Sequence, residues 1–514
     1  MKSIQYFLFS LLGLIFTSVS AFAENADNTE KSLDDKINEL MTPILSPFVN
    51  AIFSPLPYSE ALFGIAFPWI VLWLVIAAST FTIYFKFIQF RGIKHSIEIV
   101  RGDYLDPNDK GEVTPFQALT TALSGTVGLG NIAGVGVAIA IGGPGATFWM
   151  ILAGLLGMTS KFTECTLGVH YRNEYADGTV SGGPMYYLSK GLAERGMGGF
   201  GKVLAVIFAI FCIGGSLGGG NMFQANQSAQ QVANIIPFFK DNGFIFGLMM
   251  AALVGVVLIG GIKSIARVTE KIVPFMVVMY VGSALFIIVV NISAVGAAFS
   301  AIIEGAFAPV AVAGGAVGAL IQGFKRAAFS NEAGVGSAAI AHSAVQTKHP
   351  VTEGYVALLE PFIDTVIICT MTSLVIIITG SWIPEGQEGY LKGIELTSKA
   401  FESQWSGFSY ILALAAVLFA FSTMISWSYY GLKAWTYLFG EGEVKELIFK
   451  AIFCVFIVIG ASMSLGSVID FSDAMIFAMA VFNIIGLYLL MPKVKTLIQD
   501  YHTRLTAGEF KKVK

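Results

Sequence analysis

The sequence predicts an all-α polytopic membrane protein: two five-helix repeats of inverted orientation, one broken helix in each, behind a single leading span. Three observations predict it. Only 13% of the 514 residues are charged while 55% are hydrophobic, and mean hydropathy is +0.72; a soluble domain carries about 25% charged residues. Apolar runs long enough to cross a bilayer recur along the chain. A glycine-rich interruption occurs twice, as Ser124-Gly125-Thr126-Val127-Gly128-Leu129-Gly130-Asn131-Ile132-Ala133-Gly134-Val135-Gly136 and as Arg326-Ala327-Ala328-Phe329-Ser330-Asn331-Glu332-Ala333-Gly334-Val335-Gly336. Asn131 matches Asn331, the Ala-Gly-Val-Gly runs match, and Ala138 matches Ala338.

In chain order, residues 1–23 read as a signal peptide, with Lys2, an apolar run over 6–16 and an Ala21-Phe22-Ala23 cleavage site. An uncleaved first helix is the alternative. Residues 24–62 form an external segment, acidic at first and then amphipathic, lying on or near the membrane surface. The leading span is 63–88. The first repeat, 116–292, places spans at 116–141 (broken), 146–169, 201–234, 243–262 and 271–292. The second, 312–491, places them at 312–346 (broken), 352–380, 408–438, 446–464 and 472–491, and 492–514 is a basic cytoplasmic tail.

This count gives eleven spans in the mature chain, and the charges fit it. Lys86, Arg91, Lys94, Arg101 and Lys110 follow the leading span, and Arg172, Lys190, Arg195, Lys202, Lys263, Arg267 and Lys271 fall on the same side. The opposite loops hold only Lys31, Lys36, Lys240, Lys392 and Lys399. Positive charge marks the cytoplasmic side, so the N-terminus is outside and the C-terminus inside. Five helices per half is an odd number, so the halves must be inverted.

Glycine costs roughly 1 kcal/mol against alanine in a helix interior, so both glycine-rich stretches predict breaks. Within a bilayer, unwound backbone is tolerated where it lines a cavity or is buried in protein. Paired half-helix ends suit a zwitterionic solute beside a monovalent cation, and two interrupted spans in corresponding positions point to a transporter's binding site. Chance similarity between glycine-rich packing faces is the bland alternative. An ion channel should show a re-entrant filter, which is not visible. A membrane enzyme needs converging catalytic groups; the five histidines lie at helix ends, in loops or in the tail, and the four cysteines stand singly in apolar stretches.

The run Gly125-Thr126-Val127-Gly128-Leu129-Gly130-Asn131, with Gly142-Gly143-Pro144-Gly145-Ala146-Thr147-Phe148-Trp149-Met150, resembles the alanine or glycine:cation symporters. So do Phe329-Ser330-Asn331-Glu332-Ala333-Gly334, Glu360-Pro361-Phe362-Ile363-Asp364-Thr365 with Cys369-Thr370-Met371-Thr372, and Ser422-Thr423-Met424-Ile425-Ser426-Trp427-Ser428-Tyr429-Tyr430-Gly431. The resemblance covers about 68–491. It implies a LeuT-like fold and sodium-coupled import of alanine or glycine by alternating access, in the cytoplasmic (inner) membrane of a bacterium. It also implies the Thr126 carbonyl and Asn131 side chain as ligands of one sodium, and the Ser124 and Val127 carbonyls with Ser422 and Thr423 as ligands of a second. A related cation- or proton-coupled symporter for another small solute is the alternative. Lipid is the remaining partner; no cofactor beyond the coupling ion and no nucleic acid is expected.

Around the breaks, Gly128 and Gly130 let backbone amides reach a substrate carboxylate. The Asn131 carbonyl oxygen suits Na⁺, or else bridges two helices. Phe223 and Gln227, one turn apart, wall the pocket and accept from the substrate ammonium. Thr423 and Trp427 repeat that spacing, Trp427 capping a pocket sized for a methyl side chain, unless it packs against lipid. Thr126 and Phe329 complete the candidate substrate set. Lys325, Arg326 and Glu332 crowd the second break as a gate or as mutually neutral charges. Lys161 and Glu164 read as paired or snorkelling. Glu360 and Asp364 share a face, with Asp364 supporting a cation or the two forming a structural pair.

Overall fold

A chain in hydrocarbon must satisfy every backbone N–H and C=O internally, which leaves helices as the open choice for this composition. The computed structural model describes residues 43, 46–104, 106, 109–176, 178–308 and 315–510, and these are mostly helical. The expected signal peptide lies outside the described residues, as does most of the acidic stretch after it.

The leading span is α1 (Trp69–Tyr84), shorter than expected and turned by 75° into α2 (Ile88–Val100). The first broken span is α3 (Pro115–Thr126) and α4 (Gly130–Gly142), bent by 48°. Then come α5 (Ala146–His170), α6 (Gly198–Ile235), α7 (Gly243–Leu258), α8 (Gly261–Val290) and α9 (Ile292–Ala306). The second interruption separates α10 (Gly315–Asn331) from α11 (Ala338–His342). It is followed by α12 (Pro350–Ile378), α13 (Ile394–Glu402), α14 (Phe408–Phe439), α15 (Glu443–Ser462) and α16 (Leu465–Thr506). A two-stranded hairpin, Asn173–Glu174 against Val180–Ser181, makes the one sheet among the described residues.

Several elements differ from the sequence reading. Helices α2, α9 and α13 and the helical stretch 184–194 occupy segments expected to be loop. Helix α16 continues through Pro492 to Thr506, so the basic tail begins as helix.

Five helices (α6, α8, α12, α14 and α16) are each long and apolar enough to cross a bilayer, and the two bent pairs raise this to seven. Large apolar side chains point outward along α7 and α8, with Val256 and Val278 about 70% exposed. Such a surface is matched by lipid and not by water. The interior holds Trp427, Tyr280, Tyr430 and Phe223, together with a dense set of buried polar and charged groups. The α3 and α14 backbones are clasped side by side: Ser124 Oγ donates to the Ser422 carbonyl at 2.6 Å, and Ser426 Oγ donates to the Thr121 carbonyl at 3.0 Å.

Candidate substrate and cation site

Helix α3 starts on a capping box. Thr114 Oγ1 accepts from Gln117 N–H, Gln117 Oε1 accepts from Thr114 N–H, and Pro115 fills the first helical position. It stops at Thr126, and Val127-Gly128-Leu129 run outside the helix before a π turn at Gly130–Gly134. The freed amides find side-chain partners: Gly128 N–H donates to Asn131 Oδ1 at 2.9 Å, and Leu129 N–H donates to Gln224 Oε1 at 3.0 Å. The second break runs through left-handed backbone. Asn331 Oδ1 accepts from Ala333 N–H at 2.9 Å, Glu332 holds φ +56°, and Gly334 and Gly336 hold φ +86° and +90°.

The two interruptions face each other. A Cβ on Gly130 would lie 3.3 Å from Ser330 Cα, and one on Gly128 would lie 2.4 Å from Thr423 Oγ1. Close approach to the Thr423 hydroxyl, and not a left-handed backbone, favours glycine at 128, and the fit of residue 130 against Ser330 is tight.

Between the breaks lies the carboxylate of Asp364, fully buried on α12. Asn131 Nδ2 donates to Asp364 Oδ1 at 2.6 Å and to its carbonyl at 3.0 Å. Ser330 Oγ donates to Oδ2 at 2.9 Å, and Thr365 Oγ1 donates to Oδ2 at 2.7 Å. Asn331 Nδ2 reaches Thr365 Oγ1 at 2.9 Å. Among the described residues no Lys, Arg or His nitrogen forms an ion pair with Asp364. An anion so placed is costly unless a cation joins it. The carboxylate and hydroxyl oxygens here are hard donors suited to Na⁺, while Asn131 turns its Nδ2 to Asp364 and its Oδ1 to the Gly128 N–H. Thr126 and Val127 are buried where α3 ends.

Of the second candidate cation set, Ser124, Ser422 and Thr423 meet. Thr423 Oγ1 donates to the Ser124 carbonyl at 2.9 Å, beside the Ser124–Ser422 bond.

The walls are aromatic. Phe223 and Phe329 meet edge to face at 5.1 Å, and the Arg326 guanidinium lies 5.3 Å from the Phe329 ring centre. Trp427 Nε1 donates to Glu332 Oε1 at 2.9 Å, and Ser337 Oγ donates to the other oxygen. Gly220 makes room for the indole, since a Cβ there would sit 2.1 Å from Trp427 Cγ.

Arg326 and Lys325 do not neutralise Glu332. Both meet Asp473 on α16, Lys325 at 3.0 Å. Above them opens a cleft of about 530 Å³, lined by Phe53, Ile65, Gln322, Lys325, Trp382 and Glu385 among others. Lys325 Nζ stands 4.1 Å over the Phe53 ring.

Gln227 sits away from the breaks. Its Oε1 accepts from Ile394 N–H at 3.1 Å, and its Nε2 donates to Gln230 Oε1 at 2.8 Å. The glutamine that meets the first break is Gln224, which the sequence does not single out, and Asp473 is likewise unmarked there. Glu360 and Asp364 do not pair, since Glu360 turns to Lys161 and His342. Glu164 is neither paired with Lys161 nor snorkelling: Asn483 Nδ2 donates to it at 2.9 Å and to the Gly334 carbonyl at 2.9 Å. His342, expected to stand outside any buried acid–base site, lies inside one.

Known proteins are similar to this chain in sequence and in fold. The sodium:alanine symporter family matches residues 57–514. The sodium/alanine symporter AgcS of Methanococcus maripaludis is 39% identical over 424 residues, 82% of this chain and 92% of that protein. The probable sodium/glutamine symporter GlnT of Bacillus subtilis is 35% identical over 85% of this chain and 89% of its own. In fold, the crystal structure of MhsT in complex with L-phenylalanine aligns with a TM-score of 0.52 at 15% identity, covering 74% of this chain and 89% of that one.

Proposed function

The chain belongs to the sodium:alanine symporter family, whose members are transporters and not enzymes, and from that premise we propose that it imports alanine or glycine with sodium by alternating access. Membership makes it a multi-pass, sodium-coupled amino-acid transporter; the proposal adds substrate, site and direction. One observation carries it: Asp364 is a fully buried carboxylate ringed by Asn131, Ser330 and Thr365, with neutral donors and no ion-pair partner among the described residues. A sodium ion bound there supplies the missing positive charge, with Thr126 and Asn131 as further ligands. The Ser124–Val127 turn with Ser422 and Thr423 takes a second ion.

The substrate carboxylate meets the backbone at Gly128 and Gly130, close to the first ion. Thr126 and Thr423 flank it, and Gln224 replaces Gln227 as the carboxamide at the break. Phe223, Phe329 and Trp427 close the volume around a side chain no larger than a methyl group. Arg326 with Asp473, and Glu332 with Trp427, are the contacts that must part for the solute to pass. The wider arrangement is eleven spans, the last ten as two inverted repeats of five, in a bacterial cytoplasmic membrane with the N-terminus outside. No cofactor enters the cycle.

Uptake of radiolabelled alanine into proteoliposomes tests this. Saturable uptake that vanishes when choline replaces sodium, and that glycine competes away, is expected. Uptake indifferent to sodium overturns the coupling in favour of another cation or a proton. A non-saturating ion current indicates a channel.

A further inference from the structure

Away from the candidate sodium ligands, a second buried polar assembly joins three helices. Lys161, His342, Glu353 and Glu360 are all fully buried. Lys161 Nζ donates to Glu360 Oε2 at 3.3 Å. One ring nitrogen of His342, Nε2, meets Glu360 Oε1, and the other, Nδ1, meets Glu353 Oε1.

The proton count of this chain is constrained. A neutral imidazole has one N–H and one lone pair, so with a carboxylate at each nitrogen one contact would set lone pair against anion. Adding one proton removes the conflict. The assembly then holds two cations, Lys161 and the His342 imidazolium, against two anions, Glu353 and Glu360. Without that proton it carries an uncompensated negative charge in a low-dielectric interior.

Other ionisable groups face it. Glu164 and Cys165 lie beside Lys161 on α5, Arg172 lies just beyond α5, Glu332 lies at the second break, and the Tyr430 hydroxyl faces Glu360 from α14. From α16 it meets only the neutral Asn483. Two carboxylate oxygens, Glu353 Oε2 and Glu164 Oε2, are buried without a hydrogen-bond partner.

We infer that Glu353–His342–Glu360–Lys161 is a proton-binding site, holding a proton on His342 that is exchanged during the transport cycle. His342 ends α11, the half-helix that follows the second break, whereas both of its carboxylates stand on α12. Any tilt of α11 against α12 pulls the imidazole from its acceptors and releases the proton. The static part of this inference stands alone; the exchange rests on the transport reading.

Two measurements on the full-length protein test it. In ¹⁵N-histidine spectra of the resting protein, one resonance, absent in His342→Gln, is expected as a doubly protonated ring at neutral pH. A neutral tautomer there overturns the site whether or not alanine binds. Calorimetry of alanine binding with sodium, in two buffers of different protonation enthalpy, is expected to reveal roughly one proton exchanged per alanine at a pH where linkage is visible. His342→Gln and Glu353→Gln should bind alanine with sodium but lose the buffer dependence. Equal wild-type heats in both buffers, with affinity unchanged across pH, overturn the exchange. Absence of any binding heat in either buffer overturns the alanine reading, and the histidine spectrum still decides the site.

Discussion

Glu360 and Asp364 stand one turn apart on α12, equally buried, and their surroundings are opposite. Glu360 has its cations built in, Lys161 on α5 and the histidine ending α11. Asp364 has hydroxyl and amide donors alone, from Asn131, Ser330 and Thr365. A buried carboxylate whose counter-charge is covalently part of the chain ties helices together. One whose counter-charge must come from solution makes the fold's energy depend on that ion. The difference between a carboxylate with its counter-charge built in and one left open to a cation from solution thus lies in what neighbouring helices bring to each position.

The comparison breaks or sharpens under substitution. The largest effect belongs to Lys161→Met, which strips Glu360 of a partner: a loss of about 3–5 kcal/mol is expected, read as a fall in thermal stability of the purified protein in any salt. Asp364→Asn should leave stability in sodium-free buffer near wild type. It should raise the sodium concentration for half-maximal alanine uptake at least about tenfold, or roughly 1.4 kcal/mol. Asn131→Ala should shift it in the same direction, because it frees both Gly128 N–H and the carboxylate. Wild-type sodium dependence in both variants would erase the contrast between the two acids. The smallest effect is expected for Trp427→Ala, which leaves both acids in place and widens the pocket. Larger neutral amino acids should then compete for alanine uptake by about tenfold more, within the range for a pocket enlarged by a few methylenes.

Much of this was legible in the sequence for reasons of solvent and backbone. Scarcity of charge marked the spans, and glycine at 128, 130, 334 and 336 marked both interruptions. Thr423 and Trp427, separated by one turn and beside serines, pointed to the same place from α14. The glutamines were not separable that way. Gln224 and Gln227 lie three apart on one broad face, and only depth distinguishes them. Gln224 reaches Leu129, while Gln227 reaches α13, a nine-residue amphipathic helix too short to register as an element. Lys325 and Arg326 were visible as intramembrane charges, but their partner Asp473 lies 147 positions from Arg326, so no local pattern joins them. His342 was hidden by type: at a helix end it looks like a loop residue, and only the packing of α5 and α12 shuts out water.

The cleft beside Lys325 carries a consequence of its own. The Lys325 ammonium, 4.1 Å above the Phe53 ring, is also bonded to Asp473 at 3.0 Å. The stretch preceding the first span is therefore tied, through one lysine, to the Arg326–Asp473 contact proposed to part for the solute. A dye or spin label fixed near Phe53 would report that parting from outside the proposed route.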